Sequence, residues 1–395
     1  MRIKDIMRNE PIHLVFSGGG TGGHLFPGLA VAERLVNMAP QMRITFCGSG
    51  KAFEQKQVAQ AGFEYLALPA RPMPRGAREA VAFVVENFAS YLTASRFIAE
   101  EKVAGVVGLG GYASVPMAKA ATRRGVPLVL LEQNVIPGKA TRWLANRASL
   151  ICTAFDETAD QLRSRAPIRV TGNPVRDGFV TNREQAFLDK GMQDFQTEQT
   201  ETLPRQLLVL GGSGGARALN ENVPKALYKI REQLAGWTIV HQSGESDFET
   251  TKTLYAKFDL PATVEPFLSN MPSTLAKTSL AVCRAGGTSL AELSVMGVPA
   301  VLLPYPRATD DHQVANAQFF VDGGGCVKLD ERDVEGRLDD ELGDRLFFLL
   351  ANEDQRARMA AAMYALGRPN AAEHVADLLW SVISSRARQS ELAVA

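Results

Sequence analysis

Three glycine-rich segments constrain this chain more than any other feature. They lie at residues 17–24 (Ser17, Gly18, Gly19, Gly20, Thr21, Gly22, Gly23, His24), 108–114 and 211–216. An apolar run leads into each, at 13–16, 104–107 and 207–210, and a helical pattern follows each. A strand that turns through glycines into a helix lets the backbone approach a phosphate and aims the N–H groups of the helix start at it. One such turn suggests a nucleotide. Three, spread over two halves of one chain, suggest a protein that handles two phosphorylated molecules.

A chain of 395 residues exceeds what one ordinary core organises, so two domains are expected. Positive and negative residues balance at 43 each, which leaves no global field to recruit nucleic acid or anionic lipid. Cys47, Cys152, Cys283 and Cys326 are widely separated, without a CxxC pair, and read as reduced thiols of a cytoplasmic protein rather than a zinc site. Residues 1–10 are polar and lack the apolar stretch of a signal peptide. No apolar run approaches the ~18 residues of a spanning helix, so any membrane role is expected to be peripheral.

The pattern is strand–helix alternation in both halves. Strands are expected at 12–16, 43–47, 64–68, 104–109, 126–131, 149–153 and 168–171, with helices at 26–38, 54–61, 77–101, 115–124 and 139–146. Several strands are near-continuous apolar runs, as for parallel strands covered on both faces. The pattern pauses at 171–176, and residues 181–206 read as a short helix with a linker or surface insertion. It resumes at 207, with further strands at 237–241, 263–265, 279–283, 299–303 and 326–329, and a helix-rich tail at 353–386 that frays beyond Ser384. The expected class is α/β, two doubly wound Rossmann-like domains, bounded near 1–176 and 177–369.

The chemistry of the phosphate ligand narrows next. Gly18-x-Gly20-x-x-Gly23 matches the dinucleotide fingerprint formally, but the second strand ends in Thr45-Phe46-Cys47-Gly48, without the acid that binds an adenosine ribose. Neither this turn nor the one at 108–114 ends in the Gly-Lys-Ser/Thr of a P-loop, so NAD binding and ATP hydrolysis both lose ground. In the second half, Arg284-Ala285-Gly286-Gly287-Thr288-Ser289 leads into a helix carrying Glu292. That carboxylate is placed to accept both hydroxyl protons of a nucleotide ribose while the glycine end meets the phosphates. A helix-surface salt bridge is the plainer alternative.

Taken in order, residues 19–24, Gly110-Gly111-Tyr112, Glu132-Gln133-Asn134, 172–176, 211–217 and 284–292 make the chain resemble the MurG-type glycosyltransferases, over roughly residues 11–376. The resemblance implies a GT-B fold, two Rossmann-like domains facing each other across a cleft. It implies an inverting enzyme that moves N-acetylglucosamine from UDP-GlcNAc to the C4 hydroxyl of MurNAc in undecaprenyl-pyrophosphoryl-MurNAc-pentapeptide, for peptidoglycan synthesis. The first domain would take the lipid acceptor and the second most of the UDP-sugar, with a final helix at 370–386 returning to the first. Glu292 would bind the uridine ribose, Ser213 the donor phosphate, Leu268 the uracil through its backbone, Gln313 the GlcNAc hydroxyls, and Arg176 the nucleotide sugar across the hinge. Thr21, His24, Tyr112, Glu132 and Asn134 would line the acceptor side, with Gly20, Gly110, Gly111 and Asn220 as acceptor or phosphate contacts. Thr21, Gly22, Gly23 and Asn134 would also reach the donor. Two positions depart from the family pattern: Gly214 and His312 stand where many relatives carry Gln. His312 would then supply or forgo one sugar contact.

Inversion needs a base and stabilisation of the departing diphosphate. His24 and Glu132 are rival bases. A nearby helix N-terminus disfavours a charged imidazole, which suits His24 as a proton acceptor; the alternative is that it only binds pyrophosphate or caps the helix. For Glu132 the equal alternative is a strand-end carboxylate that orients Asn134 or a loop. Helix starts, the 284–289 turn and Arg176 would stabilise the diphosphate. Asp310-Asp311 lacks Asp-x-Asp spacing, so no metal ligands are assigned and a divalent-ion requirement stays open. The apolar stripe Val81, Val84, Val85, Phe88, Tyr91 and Leu92 reads as core at helical spacing. The proline-rich loop 69–74 with Arg71, Arg75 and Arg78 is the better membrane-surface candidate, on the cytoplasmic face of the bacterial inner membrane. Cell-wall synthesis proteins are possible partners; nucleic acid is not expected. Competing readings are a GT-B relative with another acceptor, a UDP-GlcNAc 2-epimerase, a non-catalytic nucleotide-sugar-binding subunit and, more remotely, nicotinamide redox chemistry.

Overall fold

The computed structural model describes residues 11–74, 76–189, 205–212, 214–334 and 336–394. The chain divides into two compact units, Met1–Arg176 with Asn370–Ala395, and Asp177–Pro369.

The first unit runs β1 (His13–Gly18), α1 (Gly22–Met38), β2 (Arg43–Gly48), α2 (Ala52–Gln60), β3 (Glu64–Ala67), α3 (Ala77–Glu100), β4 (Gly105–Gly110), α4 (Val115–Arg123), β5 (Leu128–Glu132), α5 (Lys139–Leu144), β6 (Leu150–Thr153), α6 (Asp156–Asp160) and β7 (Ile168–Val170). The second runs α7 (Asp177–Asp189), β8 (Arg205–Leu210), α8 (Arg217–Lys229), β9 (Trp237–Gln242), α9 (Phe248–Lys257), β10 (Ala262–Glu265), α10 (Met271–Lys277), β11 (Thr278–Cys283), α11 (Gly287–Val295), β12 (Ala300–Leu302), α12 (His312–Asp322), β13 (Cys326–Lys328), α13 (Leu338–Ala351) and α14 (Glu353–Leu366). The chain returns to the first unit as α15 (Ala371–Val394).

The strands form one seven-stranded sheet, β3-β2-β1-β4-β5-β6-β7, and one six-stranded sheet, β10-β9-β8-β11-β12-β13. Every pairing is parallel. Both orders reverse direction beside the first strand of the unit, at β1/β4 and at β8/β11, the switch point where ligands of doubly wound sheets bind. The glycine turns after β1, β4 and β8, and the one after β11, all lie at these two points.

Alternation along the strands builds the layers. In the first unit Leu14 and Phe16 of β1 pack with Leu25 and Leu29 of α1 and with Val375, Leu379 and Ile383 of α15. Val15, between them, faces the opposite layer with Val106, Met117, Leu130 and Ile151. Full burial of each such α15 side chain stabilises the unit by roughly 1.5–3 kcal/mol. The second core gathers Leu207, Val209, Leu219, Val223, Leu280, Val282, Leu342 and Leu346.

All of the strands expected from the sequence are present within two residues of their ends. The helices differ in instructive ways. α1 begins at Gly22, inside the glycine turn, four residues earlier than its first apolar positions suggest. The short α6 was not anticipated. The tail is two helices, because Gly367 and Pro369 interrupt it, and a Cβ at Gly367 would lie 2.8 Å from the Ser294 carbonyl oxygen. The last helix continues to Val394 instead of fraying at Ser384. The expected helix after 176 is α7; the linker at 190–204 lies outside the described residues.

One reading is overturned. Except for Tyr91, which packs against the core, the α3 stripe is not core: Val81, Val84, Val85 and Phe88 are 59–69% exposed and Leu92 41%, and Met73 of the preceding loop is 73% exposed. Helical spacing marks one apolar face, but among the described residues the covered face is the one carrying Ser90, Ala94 and Ile98, flanked by Tyr91 and Phe97.

Candidate active site

The first glycine turn is held from beneath. Glu54 of α2 is wholly buried, and its carboxyl group accepts hydrogen bonds from Gly20 N (2.5 Å), Ser49 Oγ (2.7 Å) and Tyr65 Oη (2.5 Å). Lys51 Nζ donates to the Gly20 carbonyl at 3.0 Å. The Gly20 N–H, expected to meet a phosphate, is thus committed inside the fold. Beyond it, Thr21 is the N-cap of α1 but makes no side-chain cap bond. Thr21 and Gly23 are exposed, Gly22 buried and His24 half-buried. A Cβ on Gly22 would sit 2.8 Å from the Phe26 ring, and the Arg176 guanidinium lies 4.4 Å from the centroid of that ring. Arg176, which ends the first segment of its unit, therefore stands beside the helix start that bears His24.

The second turn abuts the first. A Cβ on Gly110 would lie 3.1 Å from the His24 ring, and one on Gly111 3.4 Å from His24 Nδ1. Only glycine lets the imidazole rest on this backbone. Tyr112 opens a short 3-10 turn just after it.

Glu132, at the end of β5, is 4% exposed. Its Oε1 accepts from the backbone N (3.2 Å) and side-chain Nδ2 (3.1 Å) of Asn134, and its Oε2 from Gly138 N (3.0 Å). Both oxygens are engaged in shaping the loop between β5 and α5, the arrangement of a positioning carboxylate.

The third turn is fixed by close backbone packing. A Cβ on Gly215 (φ +74°) would fall 2.4 Å from the Ser243 carbonyl oxygen. Ser243 is in turn held by Asn220 Nδ2 (2.9 Å), which also donates to Asp247 (2.9 Å). Asn220 Oδ1 accepts from His241 Nε2 (2.9 Å), and Tyr255 Oη donates to His241 Nδ1 (3.0 Å). Burial keeps His241 neutral by lowering its pKa to about 3. Asn220 therefore does not present its amide to a phosphate, as the sequence suggested; it supports the turn. Ser213 lies outside the described residues.

Gln242 links two candidate donor segments. Its Nε2 donates to the Gly212 carbonyl (2.9 Å) and its Oε1 accepts from Leu268 N (3.0 Å). The Leu268 N–H is thus occupied, which leaves the carbonyl for a base. Glu292 lies on α11, 8% exposed, past a helix start capped only by the backbone of Gly286. Gln313 Oε1 accepts from Tyr305 N (2.9 Å), so its amide nitrogen is the end left for a sugar hydroxyl. His312 Nδ1 donates to the Thr309 carbonyl (2.8 Å) within its own turn. Arg284 donates to the Leu303 and Pro304 carbonyls after β12 and pairs with Glu331 after β13, so its charge is spent within the unit. All four cysteines are buried, with thiol pKa values raised by desolvation.

Comparison with known proteins is decisive. Residues 14–153 match the N-terminal domain model of glycosyltransferase family 28, and residues 206–375 the C-terminal one. The chain belongs to glycosyltransferase family 28. Within it, the chain is 36% identical over 382 residues to a UDP-N-acetylglucosamine–N-acetylmuramyl-(pentapeptide) pyrophosphoryl-undecaprenol N-acetylglucosamine transferase of Nitratidesulfovibrio vulgaris, covering 94% of this chain and 98% of the relative. It is 34% identical to a transferase of the same name from an Anaeromyxobacter species, covering 95% and 94%. The crystal structure of Acinetobacter baumannii MurG superposes with a TM-score of 0.72 at 29% identity, covering 94% of this chain and all of that one. A UDP-GlcNAc 2-epimerase from Neisseria meningitidis shares the fold alone, at a TM-score of 0.64 and 14% identity.

Family 28 membership and the two doubly wound sheets establish the GT-B class. The nicotinamide reading has no support left, since the acid that follows β2, Glu54, is turned into the protein. Sequence reasoning missed Glu54, Gln242 and His241. Glu54 had a findable signal, an acid just past the second strand facing a glycine turn. Gln242 and His241 had none, since a polar pair at the end of a strand is common.

Proposed function

We propose that the protein is an inverting N-acetylglucosaminyltransferase that converts undecaprenyl-pyrophosphoryl-MurNAc-pentapeptide to its disaccharide form with UDP-GlcNAc as donor. The observation that carries this is identity of 34–36% to transferases of that name over nearly the whole of both chains. The site chemistry supports it. In the second unit Glu292 accepts both ribose hydroxyls, the Leu268 carbonyl receives the uracil N3–H, and Gln313 Nε2 donates to a GlcNAc hydroxyl. The starts of α8 and α11 face the diphosphate, each with roughly half a positive charge. Asn220 and Gln242 act through the backbone they hold.

On the acceptor side, His24 is the base. Its ring lies against Gly110 and Gly111, whereas both Glu132 oxygens are occupied by Asn134 and Gly138. His24 takes the proton of the MurNAc C4 hydroxyl as that oxygen bonds to GlcNAc C1. The C1–O bond to phosphate breaks on the opposite face, and UDP leaves with the electron pair, which inverts C1. Thr21, Gly22, Gly23, Tyr112 and Asn134 complete the substrate contacts.

Among the described residues no helix is long and apolar enough to cross a membrane. The lipid acceptor instead brings the enzyme to the cytoplasmic membrane surface, where the exposed face of α3 with Met73 enters the interface. Arg71 contributes less charge than the sequence suggests, because Glu86 pairs with it at 2.6 Å. Arg75 lies outside the described residues, as does the Arg78 side chain.

The test is incubation of the purified protein with radiolabelled UDP-GlcNAc and a short-chain analogue of the lipid acceptor. Labelled disaccharide lipid is expected. Donor binding without product would reopen the acceptor assignment, and absence of donor binding would overturn the reading of Glu292.

A further inference from the structure

Glu54 has no part in the chemistry above, yet it is one of the most completely enclosed polar groups in the first unit. Its carboxyl group receives three donors from three segments: Gly20 N from the turn after β1, Ser49 Oγ from the turn after β2, and Tyr65 Oη from β3. The surroundings leave room for it. A Cβ on Gly19 would lie 2.7 Å from Oε1, and one on Gly48 2.4 Å from Oε2. Two glycines in two different turns thus make space for a single carboxyl group.

We propose that Glu54, assisted by Lys51, is a positioning residue for the reaction: it clamps the Gly20 peptide and thereby sets Thr21 and His24. This rests on the reading of residues 20–24 as acceptor-side machinery. Gly20 has φ +91° and open space where a side chain would be, so nothing in its own packing selects that conformation. The clamp supplies the selection from both sides, Glu54 on the N–H and Lys51 on the carbonyl. Thr21, the N-cap of α1, follows immediately, and its carbonyl accepts from His24 N at 3.3 Å. On the other side, the Gly19 carbonyl lies 3.3 Å from the Cβ position of Gly111, in the turn that backs the His24 ring. A shift of the Gly20 peptide therefore moves the His24 backbone and the surface on which its ring rests. This acid follows β2, as a ribose-binding acid would, but its ligand is the turn itself.

The experiment compares wild type, Glu54→Ala, Glu54→Gln and Lys51→Met by steady-state kinetics with the soluble acceptor analogue varied, alongside UDP binding by calorimetry. Glu54→Ala is expected to lower kcat/KM for the acceptor by about 100-fold, the scale of an ångström-sized misplacement. UDP affinity should stay within about twofold, since Glu292, Leu268 and Gln313 lie in the other unit. Glu54→Gln keeps an acceptor for Gly20 N and should recover about tenfold of the loss, a rescue that a purely space-filling role would not show. Lys51→Met, at an exposed site, should raise acceptor KM by about threefold, and it carries the test if Glu54→Ala does not fold. Unchanged acceptor kinetics in a folded Glu54→Ala, equal losses in the Ala and Gln variants, or a parallel loss of UDP binding would each overturn the proposal. With Glu54→Ala unfolded, an unchanged acceptor KM in Lys51→Met would do so. Absence of product from wild type would instead overturn the functional reading.

Discussion

The first and third glycine turns share one frame, strand to glycines to helix, at equivalent switch points of their sheets. They are held by opposite means. In the first, a side chain reaches in from the next connection: Glu54 takes the Gly20 N–H, and Gly20 itself is open to space. In the third, backbone meets backbone: Gly215 is pressed against Ser243 and Gly244, and a hydrogen-bonded chain of Asn220, His241 and Tyr255 stands behind them. One turn is shaped by a replaceable side chain, the other by the absence of one. The same local sequence signal thus covers two physical designs with different tolerance of change.

The largest difference expected between the turns is chemical, since only the first carries the proposed base, His24. His24→Ala should lower kcat by about 10³-fold, within the usual range for a general base, and leave UDP affinity unaltered by calorimetry. A Glu132→Gln variant that loses as much kcat while retaining its loop would return Glu132 to the role of base.

Steric tolerance separates the turns next. Gly215→Ala should destabilise the second unit by about 2–4 kcal/mol in urea unfolding, through positive-φ strain together with the clash on Ser243. Gly20→Ala bears only the backbone strain, on the order of 1–2 kcal/mol. Equal losses would erase the distinction drawn here.

Acid should single out the third turn. His241 has its pKa lowered to about 3, against 6.5 for the ordinary ring, so below about 6.5 the unfolded chain binds a proton that the folded one refuses. Its contribution is complete above pH 6.5 and is lost as pH falls toward 3, at up to ~1.4 kcal/mol per pH unit. His241→Gln, compared with wild type by urea unfolding at pH 7 and pH 5, should flatten that part of the slope; parallel slopes would remove His241 from the account.

The smallest effect concerns neither turn. Val85→Glu with Phe88→Glu on α3 should weaken binding to anionic vesicles by about tenfold, with soluble-acceptor turnover unchanged. Loss of turnover as well would place α3 in the site instead of at the lipid surface. Arg71, Arg75 and Arg78 changed together to Glu should weaken vesicle binding less, given the Arg71–Glu86 pair.

The fold was legible because parallel strands buried on both faces are written as unbroken apolar runs, such as 207–210, punctuated by glycine turns. The order of motifs carried the family. What was illegible depended on partners distant in sequence. The α3 stripe has the spacing of a core helix, and spacing does not say whether anything covers it. Asn220 sits where a ligand contact would, yet His241, 21 residues later, claims its amide. Glu54 carries no mark beyond its place at the start of a helical stretch, because its three donors come from three separate segments.

The return of α15 to the first unit has a consequence for synthesis. Val375, Leu379 and Ile383 close the layer over β1 and α1, which are made some 350 residues earlier, while the second unit is contiguous from Asp177 to Pro369. On the ribosome the later-made half has all its strands in hand before the earlier one receives its last helix. The N-terminal half must wait with an open apolar flank, and a nascent chain stalled before residue 371 holds that half unfinished, its glycine turns resting on an incomplete core.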